Sequence, residues 1–337
     1  MDKVFVSGGT GYIAQHCIVE LIKNGFSVKT SIRTKSRKQE VVDSISKIVN
    51  CNNKLEICYL DLLEDEGWDD AINGCKYVIH AASPVSLLSS NNIDDLVRPA
   101  VDGLRRCLFS SIKNNVKKFI MTSSFSAIGA GSRKNEISDQ DWTNLDNPNI
   151  SPYDMSKTKA EKFLWDYFRK EDNSNKIEVC TINPVIVVGP SLSMDIGISN
   201  QVVKKLLDGS MPFTPKCGLN LVDVKDVAKI HVKAMLSSAT NGKRFLLSAK
   251  SLWFQELAQI LRNNGYKRAP KFNAPNFLVK FLSNFDKELE IVIFYLGFKN
   301  KLRCANAKNI LKWEPSRIEK SIIETANQML EYGIIEK

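Results

Sequence analysis

Three residues in the middle of the chain, Ser124, Tyr153 and Lys157, have the chemical character of a proton-transfer site. Tyr153 and Lys157 are four positions apart, which places the phenol and the ammonium on one face of a helix predicted to begin near residue 151. A free phenol has a pKa of about 10 and transfers protons poorly near neutrality. A neighbouring ammonium would favour the phenolate and move that pKa toward the working pH.

Ser124 lies at the end of a predicted strand, in the segment Met-Thr-Ser-Ser-Phe-Ser-Ala-Ile-Gly at 121–129. Its hydroxyl could hold a substrate carbonyl there. A tyrosine and a lysine four positions apart are, on their own, most simply a pair on a helix surface. The serine about 30 residues earlier and the glycine turn at the start of the chain favour the catalytic interpretation instead.

The chain opens with a predicted strand that runs into Gly-Gly-Thr-Gly-Tyr-Ile-Ala at 8–14 and then into an amphipathic helix. Gly8 permits a tight turn, and Gly11 lets backbone amides approach a pyrophosphate at the N-terminus of the helix. Ala14 keeps the helix close to the sheet. Glycine turns of this kind also occur as purely structural connections, but the strand before and the helix after predict a dinucleotide site.

The loop after the second predicted strand indicates which dinucleotide would bind. A carboxylate in this loop would accept hydrogen bonds from the ribose 2′-hydroxyl of NAD. This chain has Arg33, Lys35, Arg37 and Lys38, and no carboxylate before Glu40. A carboxylate would repel a 2′-phosphate, whereas a guanidinium binds one bidentately. The sequence therefore predicts NADP rather than NAD, and rather than a loop that is merely basic.

Two further loops follow predicted strands. Asp61 and Leu62 come after the third strand, where the carboxylate could accept the adenine amino group or, equally well, cap a helix that begins near residue 65. The segment His-Ala-Ala-Ser-Pro at 80–84 ends the fourth strand, and its small residues, including Ala82, would let the backbone pack against a flat cofactor. All three histidines are predicted to be packed structural residues: His16, His80 and His231.

Short apolar strands alternate with helices through the first half of the chain. The predicted strands are Val4–Ser7, Ser27–Ile32, Leu55–Tyr59, Tyr77–Ala81, Phe119–Thr122 and Val179–Asn183. The predicted helices are 11–24, 37–49, 65–73, 93–114 and 151–171. Continuous apolar strands that alternate with helices indicate an α/β fold with a doubly wound parallel sheet covered on both faces. Ligands of such sheets bind beyond the carboxyl ends of the strands.

After about residue 185 this alternation ends. Helical patterns predominate at 197–208, 224–237, 253–263, 274–293 and 316–333, with short strands predicted near 219–223 and 243–248. Polar segments at 131–150 and 190–200 are predicted to be loops that border a site. The second half is therefore predicted to form a smaller, mostly helical lobe.

The composition excludes several classes of protein. The longest apolar stretch, 289–298, is too short to span a bilayer and contains Glu290, and the opening Met-Asp-Lys leaves no room for a signal peptide. Eight cysteines without Cys-x-x-Cys spacing and only three histidines predict free thiols and no metal site. We therefore expect a cytoplasmic protein.

The net charge of +10 is concentrated partly in residues 262–337, which hold 14 basic and 8 acidic residues. Such a surplus suits a nucleic-acid surface or simply a solvated face. Phe277, Phe281 and Phe285 are four residues apart, which is typical of a helix face packed into a core. They do not interleave with the basic residues as stacking platforms would, so a solvated face is the preferred interpretation.

Taken together, the motifs resemble the extended short-chain dehydrogenase/reductases, in particular the dihydroflavonol-reductase-like group. That group includes plant dihydroflavonol and cinnamoyl-CoA reductases and the yeast methylglyoxal/carbonyl reductases. The match covers residues 3–235. The segments that carry it, in the family's order, are Gly8–His16, His80–Pro84, Ser123–Ser124, Tyr153–Lys157 with Thr158 and Ala160–Glu161, Asn183–Pro190, and Val222–Ala228.

The resemblance implies a role for each matching residue. Ser124 would polarise the carbonyl, Tyr153 would donate the proton, and Lys157 would bind the nicotinamide ribose and tune Tyr153, so the last two also contact the cofactor. The other cofactor contacts would be Gly8, Gly11, Tyr12 and Ile13 at the pyrophosphate, Arg33 and Arg37 or Lys38 at the 2′-phosphate, Asp61 and Leu62 at the adenine, Ala82 against the flat cofactor, Pro184 through Val187 at the nicotinamide, and Ser199 from the following loop.

One position departs from the family pattern. Plant dihydroflavonol reductases have an asparagine five residues after the catalytic serine, and this chain has Gly129. The departure argues against a flavonoid and for a more general carbonyl site.

The sequence thus predicts a Rossmann-type NADP-binding domain at 1–189, to which 219–248 returns, and a substrate-binding lobe formed by 190–218 and 249–337. The predicted activity is NADPH-dependent reduction of a ketone or aldehyde, by a monomer or homodimer with no nucleic-acid or membrane partner. A nucleotide-sugar epimerase or dehydratase, and a non-catalytic relative that senses NADP or binds a partner, remain as alternatives. Arg33 disfavours the first alternative, and the intact Tyr153 and Lys157 disfavour the second.

Overall fold

The computed structural model of the protein describes residues 1–84, 93–170, 177–285 and 287–336. Its strands are β1 (Lys3–Ser7), β2 (Ser27–Ile32), β3 (Leu55–Tyr59), β4 (Tyr77–His80), β5 (Lys118–Thr122), β6 (Glu136–Ser138), β7 (Glu178–Pro184), β8 (Ile186–Val188), β9 (Gly218–Asp223), β10 (Lys243–Leu247), β11 (Lys250–Trp253) and β12 (Lys301–Arg303). Its α-helices are α1 (Tyr12–Lys23), α2 (Lys38–Ser46), α3 (Trp68–Ile72), α4 (Asp94–Lys113), α5 (Pro152–Arg169), α6 (Gln201–Leu207), α7 (Val224–Leu236), α8 (Phe254–Asn263), α9 (Asn276–Leu282), α10 (Lys287–Phe294), α11 (Ala305–Leu311) and α12 (Ile318–Glu331).

The central sheet has seven strands, all parallel to their neighbours, in the order β10-β7-β5-β4-β1-β2-β3. The chain builds outward from β1 to β3 and then returns to place β4 on the other side of β1. The crevice between the carboxyl ends of β1 and β4 is therefore the switch point where sheets of this type bind ligands. The predicted α/β fold with a doubly wound parallel sheet is confirmed.

Helices cover both faces of this sheet, so its central strands are buried on both sides. Buried side chains of α1, α2 and α7 form one core with the sheet, and those of α3, α4 and α5 form another. Every residue of β4 and β5 is buried. The predicted end of α5 at residue 171 lies outside the described residues.

A third core belongs to the C-terminal lobe, where α6, α8 and α12 pack around a three-stranded sheet in the order β11-β9-β8. The segment 219–248 is expected from the sequence to return to the NADP-binding domain, and its two strands lie in different sheets. β10 pairs with β7 at the edge of the central sheet, whereas β9 pairs with β8 and β11. Both strands were predicted, but their partners depend on contacts distant in sequence.

Three other local predictions are wrong. The segment 131–150 contains β6, which pairs with β12, so it is not only loop. The helix α11 was not predicted, and the single helix predicted at 274–293 is two helices, α9 and α10.

Phe277, Phe281 and Phe285 are not core residues. Their side chains are 75%, 60% and 78% exposed. The helix α9 instead buries Val279, and Ser283 just after its end. Spacing of four correctly placed Phe277 and Phe281 on one side of α9, whereas Phe285 lies beyond the end of the helix. Spacing does not determine whether that side is covered.

All eight cysteines are free thiols, and seven are buried while Cys58 is half-buried. The three histidines are buried and hydrogen-bonded: His16, His80 and His231. Within the described residues, no helix is both long and apolar enough to cross a membrane, and no group of His, Cys, Asp and Glu side chains is arranged to hold a metal ion.

Candidate active site

The helix α5 presents Tyr153 in its first turn because its N-terminus is firmly fixed. Ser151 caps the helix by accepting a hydrogen bond from the Asp154 amide at 3.1 Å, and the Asp154 carboxylate accepts in return from the Ser151 amide at 2.9 Å. Pro152 at the first helical position already has the required backbone angle. This capping box defines the direction in which the Tyr153 ring leaves the helix.

Tyr153 and Ser124, which the sequence predicts as a proton-transfer pair, are joined by a side-chain hydrogen bond. Burial raises the pKa of Tyr153 to about 12, a hydrogen bond with the Ser124 side chain opposes the shift, and the Asp154 charge adds to it. Lys157, which was expected to lower this pKa, is not among the causes of the shift. The phenol is therefore protonated near neutrality, which is the state that a proton donor requires.

Lys157 lies beneath Tyr153 as a buried ammonium. Its Nζ is 5.9 Å from the centre of the Tyr153 ring and donates to the Thr122 carbonyl at 3.4 Å. Burial lowers the pKa of Lys157 to about 8, and the Glu161 carboxylate one turn along α5 opposes that shift. The same ammonium, together with burial, lowers the pKa of His80 to about 3, so His80 is neutral at physiological pH.

Ser124 is held just beyond the carboxyl end of β5. Its Oγ accepts a hydrogen bond from the Ser126 amide at 3.1 Å, which starts a short 3-10 turn at Phe125–Ala127. Its carbonyl accepts from the Asn183 side chain on β7 at 3.2 Å. Two neighbouring strands of the sheet therefore fix the position of this hydroxyl.

A buried carboxylate, Glu161, connects these elements, and its role was not predicted from the sequence. Its oxygens accept hydrogen bonds from five side chains, at 2.5 to 3.1 Å: Ser123, Trp165, Thr181, Asn183 and Arg244. Arg244 on β10 also stacks over the Trp142 ring at 3.7 Å and donates to carbonyls of the 127–141 segment. An acid four residues after Lys157 in a helix was the available signal.

The glycine turn leaves room that a side chain would fill. Gly8 has φ of +77°, and a Cβ there would lie 2.9 Å from the Ala82 Cα. A Cβ at Gly9 would lie 2.4 Å from the Thr30 Oγ1. The turn and the end of β4 therefore approach one another at the switch point, as a backbone-lined dinucleotide site requires.

The N-terminus of α1 is suited to a pyrophosphate. Gly11 caps the helix without a side-chain hydrogen bond, and the first turn has no acidic residue. The amides of Tyr12 and Ile13 are therefore directed toward the switch point with no side-chain acceptor among the described residues. A helix N-terminus of this kind favours an anion.

The loop that follows β8 contacts α1. The Tyr12 hydroxyl donates to the Gly189 carbonyl at 2.8 Å, and the Asn200 side chain donates to the same oxygen at 3.0 Å. Two buried polar atoms of the described chain lack a partner, and they lie in this region: Gln15 Nε2 on α1 and Asn200 Oδ1. Ser199, next to Asn200, is half-buried. These residues fit a polar ligand between α1 and the loop.

The basic residues of the loop after β2 differ in whether they form ion pairs with carboxylates. Arg33 and Lys38 are exposed and form no ion pair within the described residues. Arg37 is paired bidentately with Glu40, at 2.7 and 2.8 Å, and lies 3.7 Å from Asp195. Both guanidinium and carboxylate are partly exposed, so this pair can exchange for another anion at modest cost. Arg33 and Lys38 are consequently more available to a 2′-phosphate than Arg37 is.

The remaining predicted contacts also follow the carboxyl ends of strands. Asp61 accepts from the Leu63 amide at 2.9 Å and does not cap α3, whose cap is Gly67; the capping alternative is wrong and the adenine contact stays a prediction. The Ala82 amide donates to the Ser7 side chain at 3.0 Å beside the glycine turn. Pro184 and Val187 are buried next to β10 and β9.

The comparisons with known proteins agree with this geometry. The model of the NAD dependent epimerase/dehydratase family matches residues 4–247. A cinnamoyl-CoA reductase of Medicago truncatula is 30% identical over 269 residues, which cover 77% of this chain and 80% of the relative. The NADPH-dependent methylglyoxal reductase of Saccharomyces cerevisiae is 28% identical over 285 residues, which cover 78% and 82%.

One solved structure extends the agreement to the whole fold. A yeast methylglyoxal/isovaleraldehyde reductase complexed with NADPH is similar with a TM-score of 0.81 at 24% identity, and the match covers 98% of this chain and 99% of that one.

Proposed function

The chain belongs to the NAD dependent epimerase/dehydratase family, and within that family we propose that it is an NADPH-dependent reductase that converts a ketone or an aldehyde into an alcohol. The resemblance to the extended short-chain dehydrogenase/reductases of the dihydroflavonol-reductase-like group is confirmed by the relatives named above.

The observation that carries the proposal is the group formed by Ser124, Tyr153 and Lys157. A protonated phenol, a hydroxyl hydrogen-bonded to it and a buried ammonium meet beyond the carboxyl end of β5, next to the switch point of the sheet. This combination suits donation of a proton to an oxygen that gains negative charge.

The proposed chemistry divides between cofactor and chain. When bound, NADPH supplies the hydride for the carbonyl carbon. Ser124 and Tyr153 hold the carbonyl oxygen through two hydrogen bonds, and Tyr153 transfers its proton to that oxygen. Lys157 stabilises the phenolate that remains and binds the nicotinamide ribose. The buried surroundings strengthen each of these interactions because water does not screen them.

The choice of NADPH is supported by the chain and by its relatives. The uncapped α1 and the space at Gly8 and Gly9 fit the pyrophosphate, and Arg33 fits the 2′-phosphate. A relative is named as an NADPH-dependent reductase, and a protein of the same fold was solved with NADPH.

A steady-state assay tests the proposal. We expect purified protein to oxidise NADPH continuously when given simple ketones and aldehydes, and to form one alcohol for each NADPH consumed. An epimerase or dehydratase would instead convert a nucleotide sugar without net consumption of NADPH. Tight binding of NADPH without turnover of any carbonyl would favour a sensor. Either outcome would overturn the proposed activity.

A further inference from the structure

Residues 262–285, here called the basic aromatic segment, have a composition unlike the rest of the chain. The segment contains five basic residues and no acidic residue: Arg262, Lys267, Arg268, Lys271 and Lys280. It also contains four phenylalanines with strongly exposed side chains. Three are those described above, Phe277, Phe281 and Phe285, and the fourth is Phe272, which is 67% exposed. The proposed reductase chemistry assigns no role to any of them.

The exposed phenylalanines are close together. Phe277 and Phe281 are one turn apart on α9, and the rings of Phe281 and Phe285 are 5.6 Å apart between centroids. Val279 and Ser283 are buried on the opposite side. Single exposed apolar side chains are common on protein surfaces, but a contiguous aromatic group marks a surface that contacts something apolar.

The basic residues of the same segment line a cleft next to α9. A cleft of about 560 Å³ before α9 is lined by the basic residues Arg262, Lys267, Arg268 and Lys271, and also by Asp208, Gly209 and Pro212. The Asp208 carboxylate is already paired with Lys204 at 2.9 Å. Within the described part of the chain, Lys267, Lys271 and Lys280 form no ion pair, and Arg268 pairs only with the exposed Glu336. The cleft is thus an uncompensated positive region.

We propose that the basic aromatic segment docks the protein on an anionic lipid surface. Phe277 and Phe281 enter the boundary between headgroups and acyl chains, and Lys267, Lys271 and Lys280 contact lipid phosphates. A short helix with two aromatic residues and a lysine exposed, next to a cationic cleft, has the composition of an interfacial membrane contact. The sequence expectation of no membrane partner considered a spanning segment, which a contact of this kind does not need.

Charge complementarity selects this occupant. A second copy of the chain would bring an identical positive segment against this one, and the like charges would repel. A single-stranded nucleic acid would use aromatic platforms along a groove, whereas Phe277 and Phe281 project from a helix. A lipid surface satisfies the apolar rings and the cations together.

Vesicle sedimentation of the full-length protein tests the proposal. We expect the protein to sediment with phosphatidylcholine vesicles that contain phosphatidylserine, and not with phosphatidylcholine alone. High salt should release much of it, because the basic residues act through charge. The double variant Phe277→Ser/Phe281→Ser should bind about 100-fold more weakly, since each of the two inserted rings contributes about tenfold. The double variant Lys271→Glu/Lys280→Glu should lose about fivefold or more for each charge removed.

Matched controls come from α7, where Leu236 is 55% exposed and Lys229 is also exposed. The variants Leu236→Ser and Lys229→Glu should bind vesicles as the unaltered protein does. The proposal does not rest on the reductase function, because turnover of NADPH in solution is measured separately and should be the same for all four variants.

Four outcomes would overturn the proposal. The first is no sedimentation with anionic vesicles, and the second is equal loss in the α7 controls. The third is a serine variant that binds vesicles normally but differs from the unaltered protein in oligomeric state, measured by light scattering, or in binding of single-stranded RNA. The fourth is a serine variant that raises the KM for carbonyls and binds vesicles normally, because the rings would then line the substrate site.

Discussion

Burial, more than any single charge, determines the protonation states of Tyr153 and Lys157 in the proposed catalytic group. It raises the pKa of Tyr153 to about 12 and lowers that of Lys157 to about 8. The two shifts have opposite directions but one cause, because burial disfavours the charged form of either group. Tyr153 is therefore neutral and Lys157 largely charged at neutral pH. A proton donor with a charged neighbour is the state that carbonyl reduction starts from.

Replacing Tyr153 with phenylalanine removes the proton donor and keeps the ring. We expect kcat to fall by at least about 100-fold, as is typical of losing a general acid, while the affinity for NADPH changes little. Steady-state kinetics and a fluorescence titration with NADPH measure the two quantities. Activity within a few-fold of the unaltered enzyme would exclude Tyr153 from proton transfer.

Glu161 is expected to act as a positioning residue through Lys157 and Ser124. Its charge raises the pKa of Lys157, so Glu161→Gln should lower that pKa further. The groups near the ammonium are the protonated Tyr153, the neutral His80 and Glu161, and of these only Glu161 is charged. Since Lys157 loses its proton as pH rises, the alkaline fall in kcat should move from near pH 8 to lower pH.

Glu161→Asp keeps the charge and is the control, so its alkaline limb should stay near that of the unaltered enzyme. Thermal unfolding of both variants separates a general loss of stability from this effect, because Arg244 would lose its buried partner in Glu161→Gln. An alkaline limb that stays in place in Glu161→Gln, at unchanged stability, would contradict the role.

At the scale of elements, each functional group stands where a strand ends and a helix or turn begins. The N-terminus of α5 presents Tyr153, the 3-10 turn after β5 presents Ser124, and the turn from β1 to α1 leaves amides free. The caps and turns therefore belong to the site as much as the side chains do. Their contributions can be tested one at a time.

The capping box of α5 gives one such test. Ser151→Ala should lower the free energy of unfolding by about 1 kcal/mol, the usual cost of losing a cap. Because the first turn carries Tyr153, kcat should also fall, with little change in the KM for NADPH. Denaturant unfolding and kinetics measure both. Ser151→Thr keeps the hydroxyl and should restore both values; a full loss of kcat in Ser151→Thr would show that the cap is not the cause.

The loop between β2 and α2 should set cofactor preference mainly through Arg33. A charged hydrogen bond to a phosphate contributes about 1.5–3 kcal/mol, or roughly tenfold or more in affinity. Arg33→Asp removes one such contact and adds repulsion, so we expect the preference for NADPH over NADH to fall by about 100-fold. Arg37→Ala should have a smaller effect, because Glu40 already binds Arg37.

The ratio of kcat/KM for the two cofactors measures this preference. Added salt should weaken binding of NADPH more than binding of NADH, since the extra contacts are ionic and near the surface. Equal kcat/KM for both cofactors in the unaltered enzyme would contradict the assignment and favour the epimerase alternative.

At the scale of the whole molecule, the sequence predicts local structure well and long-range partners poorly. The glycine turn, the six predicted strands of the first half and the position of Tyr153 follow from spacing and residue type, which act over a few residues. The pairing of β9 with β8 and β11 depends on contacts across 30 residues or more, which no local pattern records. Glu161 illustrates the same limit, because its partners come from α5, β7, β10 and the end of β5.

The exposure of the phenylalanines on α9 could not be predicted for the same reason. Spacing determines which side chains share a face of a helix, and only the assembled molecule determines what covers that face. The site residues were easier to predict because a doubly wound sheet brings the ends of its strands to one edge whatever the later chain does.

The distribution of the cysteines means that each hydrophobic core carries its own chemical reporter. Cys180 and Cys304 lie in one core of the central sheet, Cys75 and Cys107 in the other, and Cys217 in the C-terminal lobe. Burial raises the pKa of all five thiols, so each resists alkylation until its surroundings open. Mass spectrometry of protein pulse-labelled with a thiol reagent would therefore measure the rate at which each of the three cores opens. The native cysteines suffice, so no engineered cysteine is needed.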